Sequence, residues 1–167
     1  SGVVILLSMI EILNKLDLAK KVKVVFFDYE EQNSQGSKAF VQKVFGNIGQ
    51  QRIVGFINLT SLAHDSRKTD TARKMNNMNL YVRPKAISGS EQDMALGELI
   101  VNNGKRISGN VDFAIKEADE KANLINLPET AQSFWKMGIP GVTMTQNREG
   151  DLNPRHHSSN DFVETLN

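Results

Sequence analysis

Hydrophobic and polar residues follow two different periods along this chain, one typical of helices and one typical of buried strands. Apolar residues at every third or fourth position predict helices, and short unbroken runs of Val, Ile, Leu and Phe predict strands buried on both faces. The predicted helices cover residues 2–16, 38–45, 90–101 and 129–137, with a further one from about 159. The predicted strands cover residues 22–28, 53–59, 80–83, 111–115 and 142–145.

Three features of these elements carry more specific expectations. The helix at 2–16 has apolar residues on nearly every side, so we expect it to be largely buried. Ser90 predicts the start of the third helix, because Asp93 stands three residues later in the spacing of a capping box. Phe134 and Trp135 are expected in the core, where large aromatic residues lie more often than on a substrate-binding surface.

The alternation of strands and helices predicts an α/β fold, a three-layer sandwich with a mostly parallel central sheet. Short, right-handed connections between parallel strands restrict the possible topologies further. The chain has 167 residues, which is enough for one domain with a sizeable core. We therefore expect residues 1–167 to belong to a single domain.

Composition excludes several classes of protein. The 20 Lys and Arg residues nearly balance the 19 Asp and Glu residues, so the formal charge of +1 gives no support for binding nucleic acid or an anionic membrane surface. No apolar run is long enough to cross a membrane. The chain has no cysteine, which excludes disulfides and thiolate metal sites and leaves His, Asp and Glu as possible ligands of a catalytic metal.

Polar residues follow the predicted strands at three places. They are Glu30 and Glu31, then residues 60–61, then residues 156–157, which are both histidines. Ligands of open α/β sheets bind beyond the carboxyl ends of the strands, and Glu and His are ligands of zinc-type ions. A second carboxylate beside a ligand could deprotonate a metal-bound water. Each pair taken alone is more often a solvated turn, so both interpretations stay open at this point.

Five segments occur in an order that indicates one family. They are Phe-Phe-Asp-Tyr-Glu-Glu-Gln at 26–32, Gly-Ser-Lys-Ala-Phe at 36–40, Gly-Phe-Ile-Asn-Leu at 55–59, Ser-Phe-Trp-Lys-Met-Gly-Ile-Pro-Gly-Val at 133–142 and Arg-His-His-Ser-Ser-Asn-Asp at 155–161. Together they resemble the zinc-dependent aminopeptidase family that also contains the glutaminyl cyclases. The opening of the chain resembles the helix that follows a metal-bridging Asp in this family, and residues 63–130 fit the family least well.

The resemblance implies a zinc-exopeptidase-like fold and a hydrolase that acts on the amino ends of peptides or on related amides. Carried over residue by residue, it implies that Glu30 is the general base and that Glu31 and His157 are metal ligands, with Asp161 as a supporting acid. It implies one or two zinc ions in the complete protein and a peptide substrate. It also implies a soluble protein, secreted or periplasmic.

The chain departs from the family pattern in ways that affect the expected chemistry. The Asp that binds the second metal is replaced by Thr60, and the usual Ser-Asp-His is replaced by residues near 128–130. A His-x-Asp strand and the bridging Asp would lie upstream of Ser1, so only Glu31 and His157 remain as ligands, whereas catalytic zinc normally has three. We therefore expect a truncated domain, without hydrolytic activity of its own.

Three functions remain open on the sequence alone. The first is an aminopeptidase-type metallohydrolase, and the second is a glutaminyl cyclase with one metal ion. The third is a non-catalytic, peptidase-like interaction domain, which the replacement at Thr60 favours. Absent upstream strands would leave part of the sheet uncovered, so we expect a second copy of the chain or a preceding segment to cover it.

Overall fold

A computed structural model of the chain describes residues 2–30, 32–47, 53–62, 78–107, 112–118, 129–147, 153–155 and 158–160. The helices within these ranges are α1 (Gly2–Leu13), α2 (Gln35–Asn47), α3 (Ser90–Ile107) and α4 (Glu129–Trp135). The strands are β1 (Phe56–Leu59), β2 (Met78–Val82), β3 (Phe113–Glu117) and β4 (Gly141–Gln146). This alternation confirms the predicted α/β class. Residues 63–77 lie outside the described residues, as does nearly all of the predicted last helix.

The four strands form one mixed sheet in the order β1-β4-β2-β3. β1 pairs in parallel with β4, and β2 pairs in parallel with β3, whereas β2 and β4 are antiparallel. The prediction of a mostly parallel sheet is therefore confirmed. Because β1 and β4 are parallel, their carboxyl ends lie together at one end of the sheet. The carboxyl ends of β2 and β3 lie at the opposite end, because β2 is antiparallel to β4. We call residues 59–62 and 146–147 the β1–β4 carboxyl end.

Helices cover both faces of the sheet and complete the three layers. α3 packs on one face, over the buried side chains of Leu80, Val82 and Val142. α2 and α4 pack on the other face, where Phe134 stacks on Phe56 of β1 with ring centroids 3.9 Å apart. The predicted core position of Phe134 is confirmed. Trp135 is half-buried and its Nε1 donates a hydrogen bond to the carbonyl of Gly141 at 3.0 Å.

The prediction that the first helix is largely buried is wrong. α1 has no buried residue, and apolar side chains such as Val4 and Ile12 are 66% and 59% exposed. An apolar pattern reports which surface a helix should bury, but burial also needs a neighbouring element, and none in the described part covers α1. Its amino end does reach the sheet, because a Cβ on Gly2 would lie 2.6 Å from the carbonyl oxygen of Leu59.

The prediction of a strand at 22–28 is also wrong. These residues do not join the sheet that the described residues form, and Val22 and Phe26 are about half-exposed. Phe27 packs instead against Phe40 and Phe134, with ring centroids 5.5 Å and 6.2 Å away. A run of Val and Phe indicates a tendency to be buried, but a strand also requires the backbone of a neighbouring strand, which hydrophobicity alone does not predict.

Glycines explain how the later helices end. The third helix was predicted to end at 102–104, but α3 continues to Ile107. Gly104 lies within it against the Phe113 ring, where a Cβ would come within 2.6 Å. This glycine permits close packing and does not stop the helix. Gly138 does follow the end of α4 as predicted, and its φ of 72° is a conformation that glycine adopts readily.

Candidate active site

The structure describes one of the three predicted site residues. Glu30 lies in a turn between residues 22–28 and α2, and its side chain is exposed. Glu31 and His157 lie outside the described residues, as does Asp161. That Glu31 and His157 converge on one ion therefore stays a prediction.

The turn that carries Glu30 has an unusual backbone. We call residues 29, 30 and 32–34 the Glu30 turn. Within it Tyr29, Asn33 and Ser34 have φ values of 56°, 59° and 50°, in the left-handed region that side chains other than glycine rarely adopt. Each such residue costs about 1–3 kcal/mol, and strained backbones of this kind are concentrated at functional sites.

Hydrogen bonds close the Glu30 turn and lead into α2. The Ser34 amide donates to the carbonyl of Glu30 at 2.9 Å, and the Gln35 amide donates to the carbonyl of Tyr29 at 3.2 Å. Tyr29 also donates its own amide to a carboxylate oxygen of Asp28 at 2.8 Å. The backbone on both sides of Glu30 is thus fixed while its side chain remains accessible.

α4 links the Glu30 turn to one end of the sheet. Only residues 136–140 join α4 to β4, so the two elements run in opposite directions. The carboxyl end of α4 contacts the start of β4 through the hydrogen bond from Trp135 to Gly141. The amino end of α4 therefore points toward the end where β4 finishes. Thr130 stands there, and its hydroxyl donates to the Ser34 hydroxyl at 3.4 Å.

The β1–β4 carboxyl end is held together by backbone hydrogen bonds. The Thr60 amide donates to the carbonyl of Met144, and the Gln146 amide donates to the carbonyl of Ser61, both at 3.1 Å. Ser61 has a φ of 49°, so backbone strain occurs here as well. The predicted meeting of residues 60–61 with residues 156–157 lies outside the described residues and stays a prediction. Asn147 and Asn153, which follow β4 in the chain, are buried.

Comparison with known proteins decides the family. The model of Peptidase family M28 matches residues 1–167. The chain belongs to this peptidase family. The resemblance to the zinc-dependent aminopeptidases and glutaminyl cyclases is thereby confirmed.

A solved structure supports the fold of this M28 chain. The aminopeptidase from Aneurinibacillus sp. strain AM-1 superposes with a TM-score of 0.53 at 18% sequence identity. The match covers 84% of this chain and 27% of that aminopeptidase, so this chain spans about a quarter of its length. At this identity the likeness shows the fold alone. No curated protein is similar enough in sequence to be matched.

The described residues do not by themselves supply a metal site. Catalytic zinc in proteins normally has three protein ligands. Among the residues that the structure describes, no group of three His, Asp or Glu side chains could hold a metal ion. Thr60, which the resemblance predicts to replace a metal-binding Asp, offers only a neutral hydroxyl. Whether the donor set fits zinc thus depends on Glu31 and His157.

No described helix has the length and apolar composition that crossing a membrane requires.

A buried polar layer lies on the sheet face that α2 and α4 cover. Strand register places Asn58 beside Thr143 and Asn79 beside Thr145 on this face. The side-chain nitrogen of Asn58 and the hydroxyls of Thr143 and Thr145 are buried without a hydrogen-bond partner in the described part of the chain. Sequence reasoning missed this layer because polar residues that alternate in a strand usually face solvent.

The opposite end of the sheet holds a buried ion pair. Asp93, predicted as the capping partner of Ser90, is fully buried and binds the guanidinium of Arg83 through both carboxylate oxygens. It also accepts the amide of Gly141 at 2.8 Å, and Arg83 donates to the carbonyl of Ile139 at 2.6 Å. The capping prediction for Asp93 is therefore wrong, because the carboxylate turns into the core, where Arg83 and the Gly141 amide satisfy it.

Proposed function

We propose that this chain is the carboxyl-side part of a metal-dependent hydrolase that acts on the amino ends of peptides. In this proposal Glu30 is the general base, and Glu31 and His157 are ligands of a zinc ion. The single observation that carries it is the strained Glu30 turn, whose carboxylate is exposed. This turn contacts the amino end of α4, which points toward the β1–β4 carboxyl end. Membership of Peptidase family M28 supports the reaction class.

The position of Glu30 suits a general base. Such a base must reach the proton it removes directly or through one water, which an exposed side chain on a fixed backbone allows. A zinc ion, when bound, lowers the pKa of its bound water and stabilises a developing oxyanion. Glu30 would accept a proton from the attacking water and deliver it to the leaving amine, and Glu31 and His157 would hold the ion.

The ligand set of the proposed site is incomplete within this chain. Glu31 and His157 supply two ligands, one fewer than a catalytic zinc normally has. We propose that a further ligand beyond Glu31 and His157 completes the site and that Thr60 marks the loss of a second ion. These 167 residues alone should then show no peptidase turnover and only weak zinc binding.

The test is a Glu30→Gln variant of the complete protein. Gln keeps the size of the side chain but cannot take up a proton, so kcat should fall by about 10²–10⁴-fold while zinc content stays unchanged. Glu117→Gln is the matched control, because Glu117 is an exposed carboxylate at the carboxyl end of β3, away from the proposed site. Full peptidase activity in Glu30→Gln would rule out the role of Glu30.

A non-catalytic interaction domain is the second candidate. The neutral Thr60 in place of a metal-binding acid favours it, since a chain that had lost its metals would no longer need the acid. Metal analysis of the complete purified protein separates the two proposals. About one equivalent of zinc would refute the interaction domain, and substrate profiling would then separate peptide hydrolysis from glutaminyl cyclisation.

A further inference from the structure

The Glu30 turn needs support from outside itself. The hydrogen bonds within it join residues 28–35 to one another, and one backbone hydrogen bond, from the Lys38 amide to the carbonyl of Ser34 at 3.1 Å, joins its end to α2. Tyr29 and Ser34 both adopt left-handed φ values, which persist only where the surrounding structure fixes them. The direction in which the Glu30 side chain leaves the turn therefore depends on how the turn is tied to the rest of the protein.

Two buried contacts tie the turn to the helices. The Ser37 side chain is fully buried, and its hydroxyl donates to the carbonyl of Ser34 at 3.0 Å. The backbone of Asp28 lies against the first turn of α2, where a Cβ on Gly36 would come within 2.4 Å of the Asp28 carbonyl oxygen. Both contacts come from the segment that directly follows the turn.

A third contact comes from a distant part of the chain. Thr130 and Ser34 are 96 positions apart, both are buried, and their hydroxyls are 3.4 Å apart with Thr130 as the donor. Thr130 stands at the start of α4, whose other end is fixed to β4 through Trp135 and to β1 through Phe134. This hydroxyl pair therefore connects the turn to the helix that is anchored on the sheet.

We propose that Thr130 is a positioning residue for Glu30. Its hydroxyl holds Ser34 in the left-handed conformation, and Ser34 in turn holds the Glu30 carbonyl through its amide. Thr130 touches no reacting atom in this proposal and acts only through Ser34. The inference rests on the proposed role of Glu30 as the base, and it extends that role to a residue in a segment where this chain departs from the family pattern.

The structure provides well-matched variants for the test. Thr130→Val removes the hydroxyl and keeps the branched shape, whereas Thr130→Ser keeps the hydroxyl and removes a methyl group. Thr143→Val is the control, because it makes the same change at another buried threonine whose hydroxyl has no partner among the described residues. Ser34→Ala removes the acceptor of the same hydrogen bond and keeps the proposal testable if Thr130→Val fails to fold.

The first measurement is native-state hydrogen exchange of the Ser34 and Gln35 amides in the complete protein. Loss of one hydrogen bond of this length should make their exchange about threefold to tenfold faster in Thr130→Val. Exchange should be unchanged in Thr130→Ser and in Thr143→Val. Unchanged exchange in Thr130→Val would overturn the proposal, and this measurement does not depend on whether Glu30 is catalytic.

The second measurement is the steady-state kinetics of peptide hydrolysis by the complete protein. Misdirection of the Glu30 carboxylate should lower kcat about threefold to tenfold and leave KM unchanged in Thr130→Val, with recovery in Thr130→Ser. Faster exchange with an unchanged kcat would show a purely structural role and overturn the proposal. Failure of the proposed function itself appears separately, as full activity in Glu30→Gln.

Discussion

The buried pair of Arg83 and Asp93 allows a quantitative prediction about stability. The two side chains are 1% and 0% exposed, and each carboxylate oxygen of Asp93 accepts hydrogen bonds from Arg83. Replacing Asp93 by Ala would leave a buried guanidinium without its counter-charge, which typically costs about 3–5 kcal/mol. It would also leave the Gly141 amide without its acceptor.

The expected loss is large relative to the whole protein. Domains are stable by about 5–15 kcal/mol, so a loss of about 3–5 kcal/mol in Asp93→Ala is about a fifth or more of the free energy of unfolding. For a chain of this size, that loss corresponds to a fall of about 6–20 °C in Tm. Urea unfolding followed by circular dichroism would measure the change at constant temperature.

A double variant separates the charge from the packing. Arg83→Met with Asp93→Leu removes both charges, so the remaining cost is that of the polar groups left without their partners, chiefly the Gly141 amide and the Ile139 carbonyl, at about 1–3 kcal/mol each. The double variant should therefore lose less stability than either single variant. Glu117→Gln is the control, since Glu117 and Lys85 form an exposed pair at 3.6 Å that contributes about 0–1 kcal/mol. A loss below about 1 kcal/mol in Asp93→Ala would refute the reasoning.

Three further changes test other parts of the structure. Gly36→Ala should destabilise the protein by about 1–3 kcal/mol, because the new Cβ would lie 2.4 Å from the carbonyl oxygen of Asp28. Gly55→Ala is the control in the same urea unfolding assay and should be nearly neutral, because its Cβ would lie 3.7 Å from the nearest atom. Thr145→Val should raise the free energy of unfolding by about 1–3 kcal/mol by removing an unpartnered buried hydroxyl, and a loss would contradict this. Leu7→Gln should reduce concentration-dependent association in light scattering, with stability changed by less than about 0.5 kcal/mol, since Leu7 is exposed on α1.

Hydrophobic periodicity predicted those elements whose partners also lie in the described part of the chain. β1 and β4 pair with each other, and α3 covers their neighbours, so burial and hydrogen bonding agree with the pattern. The pattern failed at 22–28 and in α1, where apolar residues lack a strand partner or a covering element in the described residues. A local sequence pattern contains no information on whether such a partner is present.

The candidate site was predictable only where a family motif marks it. Glu30 was found from its position after an apolar run and from the resemblance, but neither reveals the left-handed φ values of Tyr29 and Ser34. Thr130 was noted only as part of a replaced motif, because its link to Ser34 depends on the tertiary fold. Asp93 was predicted as a helix-capping residue from its position three residues after Ser90. That spacing is the same whether the carboxylate caps the helix or binds a buried arginine, as it binds Arg83 here.

The two ends of β4 have different physical roles. At its start, Gly141 donates to Asp93 within a buried and fully hydrogen-bonded ion pair. At its other end, ~17 Å away for six residues of strand, Gln146 donates to the strained Ser61. Strained backbone persists only where the surrounding structure holds it, and for Ser61 that structure includes the end of β4. Loss of Asp93 should therefore increase hydrogen exchange throughout the sheet, whereas loss of the Thr130 hydroxyl should increase it only at the Glu30 turn.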